Sequence, residues 1–93
     1  MRPSDLPLED LLLQLGEESG ELAQATTKYV RKRRGNNPTP LTDNDCLKAV
    51  LEEIADVQVA TEVLLGCLGL KQDALEPMRQ KKLDRWQERL NQS

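Results

Sequence analysis

The acidic segment Glu17–Glu21, with the sequence EESGE, is followed further along the chain by Glu52–Asp56, with the sequence EEIAD. Each segment carries carboxylates three positions apart, and residues at that spacing share one face of a helix. Two packed helices would therefore bring four acids together. Clustered carboxylates repel one another unless a cation lies between them, and Mg²⁺ prefers carboxylate oxygens as ligands. The two segments predict a metal site between two helices.

Length and charge limit the class of protein. The chain has 93 residues, with 13 Lys plus Arg against 16 Asp plus Glu, and a net charge of −3. We expect a single domain over residues 1–93 whose modest core favours association into an oligomer. The acidic balance disfavours general binding to nucleic acid, which needs a basic surface.

Cysteine and histidine usage narrows the chemistry further. The chain has no histidine, and its two cysteines, Cys46 and Cys67, do not form a C-x-x-C pair. Zinc sites and histidine-based catalysis are therefore disfavoured. No run of apolar residues approaches the length of a membrane span, and the first residues lack the apolar segment of a signal peptide. We expect a cytoplasmic protein with reduced thiols and no membrane contact.

The first helix is predicted to begin after a cap at Ser4 or Asp5, with Pro7 in its first turn, and to end near Arg34 before Gly35. At about 100° per residue, one apolar stripe forms its core face. Glu18 lies at the margin of that stripe, Glu21 lies one step outward, and Glu17 is farther toward solvent. The stripe contains Leu8, Leu11, Leu12, Leu15, Leu22, Thr26 and Tyr29.

The second helix is predicted to begin at Thr42 or Asp43, with a capping box, and to end near Leu68 before Gly69. It is apolar on two sides, which is typical of a helix central to a bundle or shared between subunits. The broad face contains Leu47, Val50, Leu51, Ile54, Val57, Thr61, Leu64 and Leu68. The opposite line contains Ala49, Ala60, Val63 and Cys67, with Glu53 and Asp56 among them. Acids in such a line are costly to bury without a cation or water, although they could also simply face solvent.

The third helix is predicted either to be capped by Asp73 or to start at Pro77 after a short helix. Its apolar stripe includes Leu83, Trp86 and Leu90, and Trp86 is expected to be a core or interface anchor. Basic residues flank this stripe and also end the first helix; such residues usually form a solvated face. Alternatively, one or two of them bind phosphate. The segment of residues 35–41 is the longest candidate for motion.

Together these segments resemble the MazG-like all-α nucleoside triphosphate pyrophosphohydrolases. The resemblance rests on Glu-Glu-x-Gly-Glu-Leu-Ala in the first helix, Glu-Glu-Ile-Ala-Asp-Val in the second, and Lys82-Leu83-Asp84-Arg85-Trp86 in the last, and it covers about residues 8 to 90. The paired motif is fairly specific because both acid pairs must occur together and in this order.

The resemblance implies a helical bundle of two long antiparallel helices plus a C-terminal helix, with an oligomeric four-helix core in a homodimer or a dimer of dimers. It also implies Mg²⁺, with Mn²⁺ as a substitute, and cleavage of an NTP or dNTP between its α- and β-phosphates to a monophosphate and pyrophosphate. Bound cations would neutralise charge on the phosphates and activate water. The implied metal ligands, which are also catalytic residues, are Glu18, Glu21, Glu53 and Asp56. Glu17 would support them as a further catalytic residue, and Lys82, Arg85 and Lys28 would bind substrate.

Asp84 and Arg85 follow Lys82 where some relatives carry an asparagine, which leaves base recognition open. Two other classes of function also stay open. One is a non-catalytic helical module of the same fold that binds a nucleotide. The other is a protein-interaction module whose acids form a solvated face. Metal titration separates the interaction module from the others, because occupancy of a native site must raise stability.

Overall fold

The chain is all-helical in the parts that the structure, a computed structural model, describes, which are residues 1–35 and 41–92. The helices are α1 (Leu8–Arg34), α2 (Asp43–Cys67) and α3 (Glu76–Gln92). Short 3-10 turns at Pro3–Asp5 and Gln72–Leu75 precede α1 and α3. These ranges contain no strand, which confirms the predicted all-α class. Residues 36–40, the middle of the segment predicted to move, lie outside the described residues.

The predicted start of α1 is wrong. Leu6 is extended, with ψ 155°, and Pro7 itself takes the cap position without a side-chain hydrogen bond. The cause is that a residue before proline is driven away from helical backbone angles. Asp5 caps nothing in α1, since its carboxylate accepts a hydrogen bond from the Arg2 backbone N–H at 2.9 Å.

The other predicted helix ends are close to the observed ones. Gly35, at φ 72°, closes α1 with a hydrogen bond from its N–H to the Lys32 carbonyl at 3.2 Å. Thr42 and Asp45 form the predicted capping box of α2: the Asp45 N–H donates to the Thr42 hydroxyl at 3.0 Å, and the Thr42 N–H donates to Asp45 at 3.1 Å. Gly69, at φ 71°, follows the end of α2. Glycine favours this left-handed backbone because it has no Cβ.

The contact between α1 and α2 is the main helix–helix contact in the described part of the chain. Buried or half-buried residues recur at alternating spacings of three and four along both helices, which is the pattern of side chains interlocking between two helices. On α1 they are Leu11, Leu15, Glu18, Leu22, Ala25, Tyr29 and Lys32. On α2 the residues at this spacing are Cys46, Val50, Glu53, Val57, Ala60, Leu64 and Cys67, and Thr61, Val63 and Leu65 are buried or half-buried beside them. We call this contact the seam.

One end of the seam is tied by polar side chains. The Tyr29 hydroxyl, near the end of α1, donates to the Asp43 carboxylate at the start of α2 at 3.3 Å. Arg33 lies 3.7 Å from the same carboxylate and sits over the Tyr29 ring. The last turns of α1 therefore meet the first turn of α2.

The core face predicted for α2 is partly wrong. Val50 and Leu64 are buried as predicted, but Leu47, Leu51, Ile54 and Leu68 are exposed. Ala60, which was assigned to the opposite line, is buried instead. The reason is that two apolar stripes on one helix do not show which one meets the neighbour, and α1 packs on the stripe that contains Glu53. The exposed residues Leu47, Leu51, Ile54 and Leu68 form a stripe that the described part of the chain leaves uncovered.

α3 is also uncovered. It packs chiefly on the 3-10 turn before it, and none of its residues is buried. Trp86 is 61% exposed, so its predicted role as a core anchor within the chain is wrong. The radius of gyration is 16.7 Å, larger than the roughly 13 Å of a compact domain of about 100 residues.

Loss of the α2 cap should lower stability measurably. Thr42→Ala removes the hydroxyl that accepts from the Asp45 N–H, and such a loss costs about 1 kcal/mol. Urea unfolding followed by circular dichroism measures the change. The matched control is Thr27→Ala, because the Thr27 hydroxyl only donates to the Ala23 carbonyl inside α1, so alanine should be neutral or slightly stabilising there. Equal losses in the two variants would contradict the cap's role.

Candidate metal and nucleotide site

The predicted acids converge on one part of the seam. Glu18 and Glu53 occupy seam positions and are half-buried, whereas Glu17, Glu21 and Asp56 are exposed. This matches the order predicted for α1, in which Glu17 and Glu21 lie outward of Glu18. Two acids therefore stand where the rest of the seam is mostly apolar.

Three carboxylates lie close enough to share one ion. One oxygen from each of Glu18, Glu53 and Asp56 lies within 4.8 Å of the others. Glu21, the fourth predicted ligand, is outside this group, but its carboxyl group contacts that of Glu53. We call Glu18, Glu53 and Asp56 the acid cluster.

The cluster has carboxylate oxygens without donors. Glu18 Oε1 accepts a hydrogen bond from Gln14 Nε2 at 2.9 Å, but Glu18 Oε2 is buried without a partner. Glu53 Oε2 is likewise buried and unpartnered. Buried polar atoms are nearly always hydrogen-bonded, so two orphaned oxygens in one cluster need an explanation.

Burial and charge repulsion raise the pKa of both seam acids. For Glu18 the largest cause is burial, followed by the charges of Glu21, Asp56 and Glu17 and by contact with the Asp56 carboxyl group. For Glu53 burial again leads, followed by the charges of Glu21, Asp56 and Glu18 and by contact with Glu21. Each contact between two carboxyl groups favours a shared proton. The ionised cluster is therefore unfavourable without a positive charge.

The acid cluster fits a hard divalent cation. All its donors are carboxylate oxygens, the ligand type that Mg²⁺ and Mn²⁺ accept and that soft metals do not favour. The orphaned oxygens of Glu18 and Glu53 are the atoms such an ion would satisfy. Exposed acids commonly cluster without any ion, and the buried, unpartnered oxygens distinguish this cluster from such surface groups.

Clefts lie on both sides of the cluster. One, of about 390 Å³, is bordered by Glu18 and Asp56 and extends beneath the N-terminal 3-10 turn. The other, of about 380 Å³, is bordered by Glu21, Glu53 and Lys28. Lys28 was one of three basic residues predicted to bind substrate, and it shares this cleft with two of the predicted acids.

The other two predicted substrate-binding residues lie elsewhere. Lys82 and Arg85 are on α3, where they border a separate cleft with Trp86 and Arg89. None of the five acids borders that cleft. Within one chain, the structure therefore does not bring Lys82 and Arg85 together with the acids.

Sequence reasoning missed two polar residues that border the first cleft, Asp10 and Gln14. Gln14 was not singled out, although it stands four positions before Glu18, the spacing of neighbouring side chains on a helix. Asp10 precedes Gln14 by the same interval, so the pattern was present in the sequence. The sequence also did not show that the N-terminal 3-10 turn covers this cleft, because that depends on the tertiary contact between the turn and α2.

Comparison with protein-family models, with characterised proteins and with solved structures gave no match. The resemblance to the MazG-like enzymes therefore rests only on the sequence motifs of the three helices. None of the helices in the described residues has the length and apolar character needed to cross a membrane.

Stability without metal should depend on pH through the cluster. The ordinary pKa of 4.5 is raised for Glu18 and Glu53 in the folded chain, so the folded state binds more protons than the unfolded state just above pH 4.5. The free energy of unfolding should then fall as pH rises from about 4.5. The pKa of Asp45 is lowered from 3.8, so its contribution is lost below that pH, outside this window.

Glu53→Gln removes one of the two groups and should make this fall shallower. Urea unfolding between pH 4 and 8 in a chelator measures the slope. Glu52→Gln is the matched control, because Glu52 is the exposed neighbour and lies outside the cluster. A Glu53→Gln slope equal to that of the parent would show that Glu53 does not titrate abnormally.

Proposed function

We propose that this protein is a Mg²⁺-dependent nucleotide pyrophosphohydrolase, which cleaves an NTP or dNTP between the α- and β-phosphates. The observation that carries the proposal is the acid cluster, with two buried carboxylate oxygens that have no donor. A purely structural seam would gain stability from apolar residues at these positions. The paired acid motifs and the clefts beside the cluster add support.

Glu18, Glu53 and Asp56 are the residues that would hold Mg²⁺. Glu21 supports Glu53 through their carboxyl contact and is the fourth candidate ligand. When bound, the ion would neutralise phosphate charge and lower the pKa of water. Gln14 fixes Glu18 by donating to its Oε1, which leaves Oε2 available for the ion.

In the proposed reaction a water oxygen forms a bond to the α-phosphorus, and the bond from that phosphorus to the bridging oxygen breaks. An acid of the site accepts the proton of the water, while Glu17, exposed beside Glu18, orients the water. Pyrophosphate leaves with the bridging oxygen. Lys28 borders the cleft that also contains Glu21 and Glu53, and its charge suits the β- and γ-phosphates.

Assembly into a dimer, or a dimer of dimers, belongs to the same proposal. Tyr29 meets Asp43, whereas Glu18 meets Asp56, and this order supports an antiparallel arrangement of α1 and α2. The uncovered stripe of α2 would then pack against its counterpart in a second copy and complete a four-helix core. Such an assembly is also the setting in which Lys82 and Arg85 could reach the acid cluster of another copy.

The free thiols of Cys46 and Cys67 suit the reducing cytoplasm.

A second candidate function is a helical protein-interaction module. The observation that favours it is α3, whose apolar residues Leu83, Trp86 and Leu90 are exposed. Exposed aromatic and aliphatic stripes are typical of binding surfaces. Mg²⁺ or Mn²⁺ titration separates the candidates, because only a metal site raises the melting temperature of the native chain.

Glu53→Gln tests the proposed chemistry. Mutation of a residue that supports a metal ligand typically lowers metal affinity or activity by roughly 10–100-fold. Loss of a ligand itself should therefore lower Mg²⁺-dependent pyrophosphate release by at least about 100-fold. The chelated variant should keep its helical signal and melt at or above the parent temperature, because one source of repulsion is gone. Glu17→Gln should lose less activity. Pyrophosphate detection over a panel of NTPs and dNTPs gives the rates.

Glu52→Gln is again the control, and it should retain parent activity. Near-parent rates for Glu53→Gln would exclude the four-carboxylate site. Unfolding of that variant would instead assign Glu53 a structural role. A parent protein stabilised by Mn²⁺ but inactive on every nucleotide would favour the non-catalytic nucleotide-binding module.

Leu51→Asp tests the assembly. Leu51 is 56% exposed on the uncovered stripe, so a charge there is tolerated in a monomer but would be buried in the proposed core. Light scattering at micromolar concentration should show a dimer or larger assembly for the parent and a monomer for the variant. Leu13→Asp is the control, because Leu13 is 68% exposed and lies off the apolar stripe of α1. A monomeric parent would refute the proposed four-helix core.

A further inference from the structure

The cleft beneath the N-terminal turn extends away from the acid cluster, and most of its lining has no role in the chemistry assigned above. Its volume is about 390 Å³, within the range of roughly 300–1,000 Å³ for small-molecule sites. Its walls are mainly apolar, from Leu6 and Leu11 on one side and Val59, Ala60 and Val63 on the other. Two further polar side chains, Asp10 and Gln14, border it in addition to the acids Glu18 and Asp56.

We propose that this cleft binds the base of the nucleotide, and that Asp10 and Gln14 select bases with an exocyclic amino group. Nucleotides of cytosine, adenine and guanine, which carry such an amino group, would then be preferred to those of uracil and thymine. The inference rests on the proposed function, because it assigns the organic end of the same ligand.

The position of the cleft supports a base rather than a phosphate. It is continuous with the acid cluster through Glu18 and Asp56, and no Lys or Arg borders it. The cleft on the other side of the cluster contains Lys28. A nucleotide with its phosphates at the cluster would therefore place its uncharged end in the first cleft and its terminal phosphates toward Lys28.

The spacing along α1 supports the same orientation. Asp10 and Glu18 are eight positions apart, which is about 12 Å along a helix. This separation leaves room for a sugar and base between the acid that holds the metal and the acid that would contact the base. The apolar walls offer the flat contact that base rings need, as in most ligand sites.

The polar groups Asp10 and Gln14 offer hydrogen-bond acceptors to a ligand in the cleft. An ionised Asp10 can only accept hydrogen bonds. Gln14 donates through Nε2 to Glu18 at 2.9 Å, so its Oε1 is the end that remains for a ligand. An exocyclic amino group donates to such acceptors, whereas the carbonyl groups of uracil or thymine would face them with an acceptor. Because a bound base would cover Asp10 and Gln14, this mismatch would leave both acceptors without a donor.

Calorimetric titration with non-hydrolysable α,β-methylene analogues of CTP and UTP, in the presence of Mg²⁺, tests the inference without turnover. The parent should bind the CTP analogue on the order of tenfold more tightly, as expected for one hydrogen bond to a charged acceptor. Asp10→Asn should bring the two affinities to within a few-fold of each other, because an amide also donates. Asp10 is exposed, so the variant should fold.

Val59→Trp tests the location. Val59 is 59% exposed at the edge of the cleft, so a larger side chain can fill the cleft without entering the seam. It should weaken both analogues by roughly tenfold or more, while Mn²⁺ affinity stays at the parent value. Leu13→Trp, an exposed position of α1 that does not border the cleft, should bind like the parent.

Equal affinity of the parent for the two analogues, no binding of either, or an unchanged preference in Asp10→Asn would overturn the inference. Parent-like binding by Val59→Trp would overturn it as well, because the base would then lie elsewhere. The proposed function is judged separately by pyrophosphate release. Hydrolysis without base preference would leave that function standing and refute this inference, whereas selective binding without hydrolysis would do the reverse.

Discussion

Repulsion between carboxylates in the seam is the constraint on which the rest of the structure depends. Glu18 and Glu53 stand where α1 and α2 would otherwise pack apolar side chains, and both carry a buried oxygen without a donor. The apolar seam residues on either side, such as Leu22 and Val57, must hold the helices together against this repulsion. The seam therefore both stabilises the helix pair and concentrates charge at one point along it. A structure in which the acids were absent would be better packed and would have no candidate site.

Much of the fold could be predicted from the sequence because its signals are local. Gly35 and the Thr42 capping box mark helix ends through their own backbone and side-chain chemistry, and both are present as predicted. The start of α1 could not be placed by the same reasoning, since the effect of Pro7 on Leu6 outweighed the capping preference of Ser4 and Asp5. The sequence also did not show which face of α2 packs against α1. Nothing within α2 distinguishes the stripe containing Ile54 from the one containing Ala60, because only contact with α1 decides between them.

In the candidate site, too, local spacing was predictable from the sequence and contacts between distant segments were not. The spacing of the acids was enough to predict that each pair shares a face of its own helix and that the two pairs meet. The structure brings one oxygen from each of Glu18, Glu53 and Asp56 within 4.8 Å of the others. The cations were harder to predict, since basic residues occur on most exposed helix faces and spacing does not tell a ligand contact from a solvated side chain. Lys28 borders a cleft with two acids, whereas Lys82 and Arg85 lie on a helix whose position depends on contacts outside α1 and α2.

The hydrogen bond between Tyr29 and Asp43 bears on whether the site could assemble from two separate helices. This hydrogen bond, together with Arg33, holds the end of α1 to the beginning of α2 through side chains. The register that brings Glu18 opposite Asp56 is thus supported by side-chain contacts between α1 and α2. Two separate peptides, one ending at Gly35 and one beginning at Leu41, contain every residue of the seam. The acid cluster is in this sense a property of a non-covalent helix pair, which makes the junction between the helices a natural point for splitting the chain.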